Sequence, residues 1–412
     1  MNYGYNLHMK WLKENTIYLT IAGSRAYGME NELSDLDIRG IVIPPREIEY
    51  NLYHRFEQAE NNEQINTMVS HMANPLNPKI EGTVYSMRKF FLLAAEVNPN
   101  IIELLFTNES EHIIITPIMR KLLDNKSLFL SNKARWTFSG YAAAQLKKIE
   151  RHHKWIKLGE LIPPSREQFG LPSFIPKGVD EVFGHIKAQV EQWNLNQFPI
   201  DEQQRAELKD IIWEIISNVA KSEISIANWP DVYTKGVINK LKDELNLTDE
   251  ILSYIHAERS YNKAKQVYDS WVLWKKERNP IRRELEIKSG YDTKHAAMLV
   301  RLLRVGYEIL SSGKVIVNRK GIDAEELLAI KNGAWSYDKV MEYKEEMDAK
   351  LEKEYIRQKQ LIADGKPTPL PQSVNKEKLN NLYHELYEEY WTNTKDNHAD
   401  CMNDAFGSHG QV

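Results

Sequence analysis

The sequence predicts an α+β protein, with a small strand-rich core at the N-terminal end and a mostly helical region after it. Three observations predict this. Apolar, β-branched runs of strand length cluster before residue 90, at Tyr18–Ala22, about Asp35–Ile43 and Ile80–Tyr85. From about Lys126 onward the strand signal nearly vanishes. In its place come long stretches with helical period, the first from Trp136 to Trp155 with Phe138, Tyr141, Ala142, Gln145 and Ile149 near one stripe.

Taken in order, Tyr18–Ala22 reads as a buried strand that Gly23-Ser24 terminates. In the second strand, side chains at i, i+2 and i+4 share a face. Asp35, Asp37 and Arg39 therefore project together, and Leu36, Ile38 and Val42 face a core. The stretch Asn51–Asn77 is polar and rich in Asn and Gln, which predicts a mobile flap or a weakly ordered insertion. A strand at Ile80–Tyr85 leads into a helix from near Ser86, which carries Lys89-Phe-Phe-Leu-Leu-Ala-Ala and stops near Asn98-Pro99. Gly159–Gly178 is Pro-rich and non-helical, with a turn at Phe169-Gly-Leu-Pro172. Helices are expected at about Asp201–Trp229, Thr248–Glu277 and Thr293–Ser311. Asp292 or Thr293 is placed to cap the last of these and Gly313 to close it. The acidic-basic run Tyr343–Lys359 reads as an exposed helix laced with i, i+4 pairs, broken by Pro367-Thr-Pro-Leu-Pro371. Leu379–Trp391 offers one more amphipathic helix, to pack on the core or to serve a partner. The resulting domain scheme is a core at 1–125, a helical domain at 126–340 and a charged C-terminal extension at 341–412.

The chemistry-bearing feature lies in the first core. A small-residue turn, Gly23-Ser24-Arg25-Ala26-Tyr27-Gly28, follows one strand, and about ten residues on Ser34-Asp35-Leu-Asp37-Ile-Arg39-Gly40 opens the next. Gly23 allows close approach of backbone to a ligand, Ser24 adds a hydroxyl donor, and Arg25 offers a fork to a phosphate or a carboxylate. Two carboxylates side by side repel unless a cation lies between them. Either piece alone is common, as turn or capping chemistry. In strand–turn–strand order the two together fit metal-dependent chemistry on a nucleoside triphosphate.

These residues resemble the signature of the nucleotidyltransferases of the DNA polymerase β superfamily, and more narrowly the RNA-ligase-associated branch known as RlaP. Tyr85–Phe90 with Asn98–Phe106 resembles that family's next block, and Tyr291–Ala296 leading into Arg301–Arg304 and Gly306–Glu308 resembles a later helical one. The resemblance covers most of residues 15–335. It implies a polymerase-β-like core whose three carboxylates hold two Mg²⁺ ions, with an NTP as substrate. Asp35 and Asp37 supply two of them, and Glu81, the only acid in Ile80–Tyr85, is the candidate third. The alternative for Glu81 is an edge-strand charge facing solvent. Gly23 and Ser24 are expected at the β- and γ-phosphates, with Arg25, Arg39 and Lys294 as further phosphate contacts. Lys294 and His295 sit at the positively polarised end of their helix, suited to an anion. Lys294 alternatively pairs with Asp292, and His295 reads more readily as a packing histidine than as a base. Arg301 and Arg304 either extend the anion site or pair with Glu308. The acceptor expected first is an RNA 3′ end. A protein or tRNA modified in a toxin–antitoxin or phage-defence setting, and a catalytically silent nucleotide- or RNA-binding module, are the rivals.

Composition bounds the rest. The 412 residues are 42% hydrophobic and 27% charged, ordinary for a globular chain too long for one small core. The single cysteine, Cys401, excludes an intrachain disulfide framework. No apolar run approaches the ~20 residues that span a bilayer, and no signal-peptide core opens the chain, so a cytoplasmic protein without membrane partners is expected. Net charge is −4, but Arg120–Glu160 holds ten Lys or Arg against three acids, and Lys275–Arg283 is basic too. These stretches fit a nucleic-acid backbone or, equally, a solvated helix face. His152 and His153, adjacent on a helix, point apart and do not chelate together; a zinc site from the loosely spaced His398, Cys401 and His409 is not expected.

Overall fold

The computed structural model describes residues 9–171 except Leu33 and His54, residues 201–206 and 209, and residues 249–393. The chain forms two compact units, one comprising the residues up to Ile156 and from Arg283 on, the other Lys157–Arg282.

The first unit is built on a five-stranded mixed sheet. Helix α1 (Lys10–Glu14) leads into β1 (Thr16–Ile21), which ends at the short helix α2 (Gly23–Ala26). Then come β2 (Leu36–Val42), α3 (Arg46–Glu49), β3 (Gln58–Glu60), α4 (Glu63–Val69) and β4 (Ile80–Ser86). Helices α5 (Met87–Ala95) and α6 (Pro99–Leu105), strand β5 (His112–Ile115), α7 (Pro117–Asp124) and the long α8 (Ala134–Leu158) complete the N-terminal part. The strand order is β3-β4-β2-β1-β5, with β2 and β4 parallel and every other pair antiparallel. Strand β1 is buried along its whole length, as its unbroken apolar and β-branched sequence requires of a strand covered on both faces. Strand β2 alternates as expected: Leu36, Ile38 and Val42 are buried while Asp37 and Arg39 are half-exposed.

The polar stretch Asn51–Asn77 is not a loose flap. It supplies edge strand β3 and helix α4, whose Ile65 and Val69 are fully buried beside Leu36, Ile38 and Val84. Asn62 makes this possible, since its side-chain oxygen accepts from the backbone N–H groups of Gln64 and Ile65. Two anchors four residues apart suffice for a helix of two turns.

Helices α10 (Pro280–Ser289), α11 (Thr293–Ser312), α12 (Ala324–Lys331), α13 (Tyr337–Ala363) and α14 (Lys376–Asn393) follow α9 (Asp249–Glu277) of the other unit. Helix α11 begins at its Asp292 cap and closes at Gly313, which has φ +68°, a conformation glycine adopts without cost. Its buried stripe joins Phe138 and Ile149 of α8 and Phe90 of α5 in one continuous core. The acidic-basic run is only half exposed: α13 carries Lys344–Asp348 and Glu346–Lys350 pairs outward but buries Val340, Met347 and Leu351 in the same core. Helix α14 packs back on the core, burying Leu386, Tyr387 and Trp391, with Trp391 Nε1 donating to Pro44 O at 3.2 Å.

In the second unit, Glu160–Ser165 is non-helical as expected and leads into a 3₁₀ turn at Glu167–Phe169, where Phe169 packs edge-on against Tyr261 of α9 at 6.0 Å. Lys275, part of the second basic stretch, pairs with Glu160. The expected helix at Asp201–Trp229 begins within described residues, at Glu202, but most of it, the end of the 159–178 segment and the His398, Cys401 and His409 tail lie outside them.

Candidate active site

The carboxylate pair sits where β2 begins. Leu36 N donates to Lys79 O at 3.0 Å and Ala22 N to Asp37 O at 2.8 Å, so the start of β2 is held between β4 and the end of β1. The parallel register sets Asp37 opposite Glu81, and register partners on neighbouring strands point to the same face. Asp35 precedes Asp37 by two residues, with its side chain one-third exposed. Glu81 thus lies on β4, inside the sheet between β3 and β2 rather than on an edge.

Electrostatics bind the three acids into one neighbourhood. Burial, then the adjacent Asp35 carboxylate and Glu81, push the Asp37 carboxyl up, against the downward pull of Arg39 and Lys294. Lys79 supplies a local counter-charge: its ammonium pairs with Glu81 and lies 4.0 Å from Asp35 Oδ2. That hydrogen bond to Glu81 raises the Lys79 pKa. The side chain of Lys79 is 60% exposed, so it can leave. The sequence carries a signal for it, because Lys79 and Glu81 are i, i+2 and share a strand face.

Gly23 touches this group directly. It has φ +62°, and a Cβ built on it would overlap the Asp37 carboxylate. Only glycine serves here, on two counts, and Ser24 stands next to it in the first turn of α2. The turn is braced from behind. Tyr27 Oη donates to Glu103 Oε2 at 2.6 Å, Glu103 pairs with Arg301, and the Arg301 guanidinium lies 3.7 Å over the Tyr27 ring. Arg319 N donates to Tyr27 O at 3.0 Å, and Lys320 pairs with Glu30 at 2.9 Å. Burial, opposed by Arg301, pushes the Tyr27 hydroxyl well above its ordinary range. No spacing in the sequence announces a contact between residues 103 and 301.

The other expected residues divide. Lys294 is exposed, and its charge reaches Asp37. Arg39 Nη1 donates to Ile38 O at 2.8 Å and Glu81 O at 3.3 Å, while its charge lowers Asp37. Arg25 Nη1 donates to Met72 O at 2.9 Å, tying α2 to the segment after α4. His295 is held within the helical layer, with Nδ1 2.8 Å from Gln145 Oε1 and Nε2 3.5 Å from Asp292. Arg301 is buried against Glu103 and does not extend an anion site. Arg304 pairs with Asp323 and Glu326 rather than Glu308, which goes to Arg319. In the first basic stretch Lys121, Lys133 and Arg135 are committed to Glu385 and Glu389, Glu96, and Glu352. Lys147, Lys148, Arg151 and Lys154 remain exposed on α8.

A mixed five-stranded sheet that presents acids from two adjacent parallel strands beside a small-residue turn, with a helical layer packed on it, defines a polymerase-β-like nucleotidyltransferase core. Residues 7–160 match the family model described as RlaP, RNA repair pathway DNA polymerase beta family, so this part of the chain is an RlaP-like nucleotidyltransferase of the polymerase β superfamily. The match covers less than half of the chain and ends before the helical block at 291–308. Neither the curated proteins nor the solved structures returned a match. Among the described residues no helix is long and apolar enough to cross a membrane.

Proposed function

We propose that the chain is a Mg²⁺-dependent nucleotidyltransferase that moves a nucleoside monophosphate from an NTP to a hydroxyl, with an RNA 3′ end as acceptor. The observation that carries this reading is the register pairing of Asp37 with Glu81, beside Asp35 and against Gly23. The donor set fits a hard cation: three carboxylates on one side of the sheet, mutually repelling, with a displaceable lysine against two of them. Asp35 and Asp37 would bridge two Mg²⁺ ions, and Glu81 would hold the one nearer the acceptor. Bound there, the ions neutralise the triphosphate and lower the barrier to attack on its α-phosphorus.

In this reading the protein's own groups bind and orient. The turn at Gly23 and Ser24 approaches the β- and γ-phosphates with backbone N–H groups and a hydroxyl. Lys294, exposed and near enough to act on Asp37, balances phosphate charge from the helical layer. Arg39 contributes positive charge behind the acids, Arg25 fixes the turn, and His295 steadies the start of α11 through Gln145. The acceptor oxygen bonds to the α-phosphorus, the bond to pyrophosphate breaks, and the hydroxyl proton leaves to a carboxylate or to water. The exposed basic face of α8 and the RNA-repair description of the matched family favour RNA as acceptor.

Incubating the chain with each labelled NTP and total RNA, with and without Mg²⁺, tests this. Label in RNA that requires Mg²⁺ and disappears in Asp37→Asn is the expected result. Label in protein instead redirects the acceptor. No labelled macromolecule and no pyrophosphate with any NTP leaves a binding module and overturns the enzyme.

A further inference from the structure

A second cluster of ligand-type side chains lies in the interior of the first unit, away from the sheet carboxylates. His152 of α8, Glu286 of α10 and Asp292, the cap of α11, converge there. They are 4%, 0% and 0% exposed. Each puts a ligand atom within 4.8 Å of those of the other two, the one such group of three among the described residues. The three come from separate parts of the chain, so no sequence spacing reveals them.

The chemistry of the group is specific. Asp292 splits its carboxylate: Oδ1 accepts from His295 N at 3.1 Å as the helix cap, and Oδ2 lies 2.9 Å from His152 Nδ1. His295 flanks the same oxygen, its Nε2 at 3.5 Å. Its Nδ1 is 2.8 Å from Gln145 Oε1, an acceptor, so Nδ1 carries the proton and Nε2 turns a lone pair toward Asp292. The His152 ring is held by stacking on Trp155, with centroids 5.3 Å apart and planes at 21°. Two carboxylates enclosed without solvent are costly unless their charge is cancelled. One protonated imidazole cancels one of them. A divalent cation cancels both and leaves the histidine as a neutral ligand, and a second-shell partner on a flanking imidazole is the usual accompaniment of such sites.

We propose that His152, Glu286 and Asp292 form a zinc site, with the fourth position taken by water or by His295. Mixed imidazole and carboxylate donors suit Zn²⁺, whereas Mg²⁺ prefers oxygen donors alone and keeps its waters. The ion would tie α8 and α10 to the first turn of α11, two residues before Lys294. It is a structural centre, and it stands or falls independently of the activity at the sheet.

Metal analysis of the purified full-length chain tests this, with about one zinc per chain expected. Stripping with a chelator should lower Tm by roughly 5–10 °C, and Zn²⁺ but not Mg²⁺ should restore it. His152→Gln and Glu286→Gln should lose the zinc, while Asp35→Asn, which touches only the sheet acids, should keep it. A wild-type chain that holds no zinc, takes none from a chelating dye and melts unchanged with Zn²⁺ overturns the proposal and leaves a His152–Asp292 ion pair beside a protonated Glu286. Zinc retained by the Glu286→Gln chain, or lost with Asp35→Asn, overturns it as well. Should the variants not fold, the wild-type chelator and zinc arms decide alone.

Discussion

Two charged neighbourhoods meet at the Gly23–Gly28 turn and obey opposite rules. On one side Asp35, Asp37 and Glu81 set like charges together, a third or more of the Asp35 and Glu81 side chains is exposed, and an exposed lysine lies against them. On the other, Glu103 and Arg301 are opposite charges, about 5% exposed, locked to each other and to Tyr27. The first arrangement costs folding energy and makes sense only if something arrives to relieve it. The second is self-contained and holds the turn in place. Net charge and composition are blind to this difference; burial and the sign of the nearest partner reveal it.

The sharpest way to break the comparison is to remove one charge from each side. Asp37→Asn should cut nucleotidyl transfer by about three orders of magnitude, ~4 kcal/mol of transition-state stabilisation. Its Tm should hold or rise slightly, because the carboxylate is disfavoured where it stands. A large drop in Tm with activity retained would make Asp37 a scaffold residue. Arg301→Met should do the reverse, leaving Glu103 buried without its partner at a cost of about 3–5 kcal/mol by urea unfolding. Adding Glu103→Met to it should recover most of that loss, since the charge left behind is what destabilises. A single variant no less stable than wild type would mean the pair is decorative.

Lys294 links the two regions, since it belongs to the helical layer but its charge reaches Asp37. Lys294→Gln should lower kcat/KM roughly tenfold to a hundredfold with stability unchanged, a fall typical of losing one preorganised charge near developing negative charge. Unchanged kinetics would remove it from the site. A gentler contrast comes from pH. Asp323 is raised by burial, but hydrogen bonds from Arg319 and Arg304 outweigh that and hold it below its ordinary 3.8. An acid with a depressed folded pKa contributes stability above its unfolded value, and that stability is lost as pH falls through the folded one. Asp323→Asn should therefore flatten the acid limb of a Tm-against-pH curve; an identical limb would show the network contributes nothing there.

Much of the first neighbourhood was legible in the sequence. Period-two alternation put Asp35, Asp37 and Arg39 on one face, and a lone acid in the next strand pointed to Glu81, which stands opposite Asp37. The start and stop of α11 were written in Asp292 and Gly313. The second neighbourhood was not legible, because Glu103 and Arg301 are brought together only by packing of α6 on α11, and tertiary pairing leaves no local signal. Helix α4 and strand β3 were hidden for a different reason. Their segment is polar by composition, and burying Ile65 and Val69 under one asparagine cap is enough to order it.

Lys79 tests whether the sheet acids await a cation. Its ammonium pairs with Glu81 and lies 4.0 Å from Asp35, so an arriving divalent ion must displace it. Because the lysine is mostly exposed, that competition is weak, worth at most about 1 kcal/mol once solvent screening is counted. Lys79→Met should therefore lower the Mg²⁺ concentration for half-maximal activity by no more than about fivefold, and raised ionic strength should shrink the difference by screening the wild-type pair. If the variant instead needs more Mg²⁺, Lys79 helps hold the nucleotide rather than standing in for the metal, and the like-charged acids are relieved from within the protein after all.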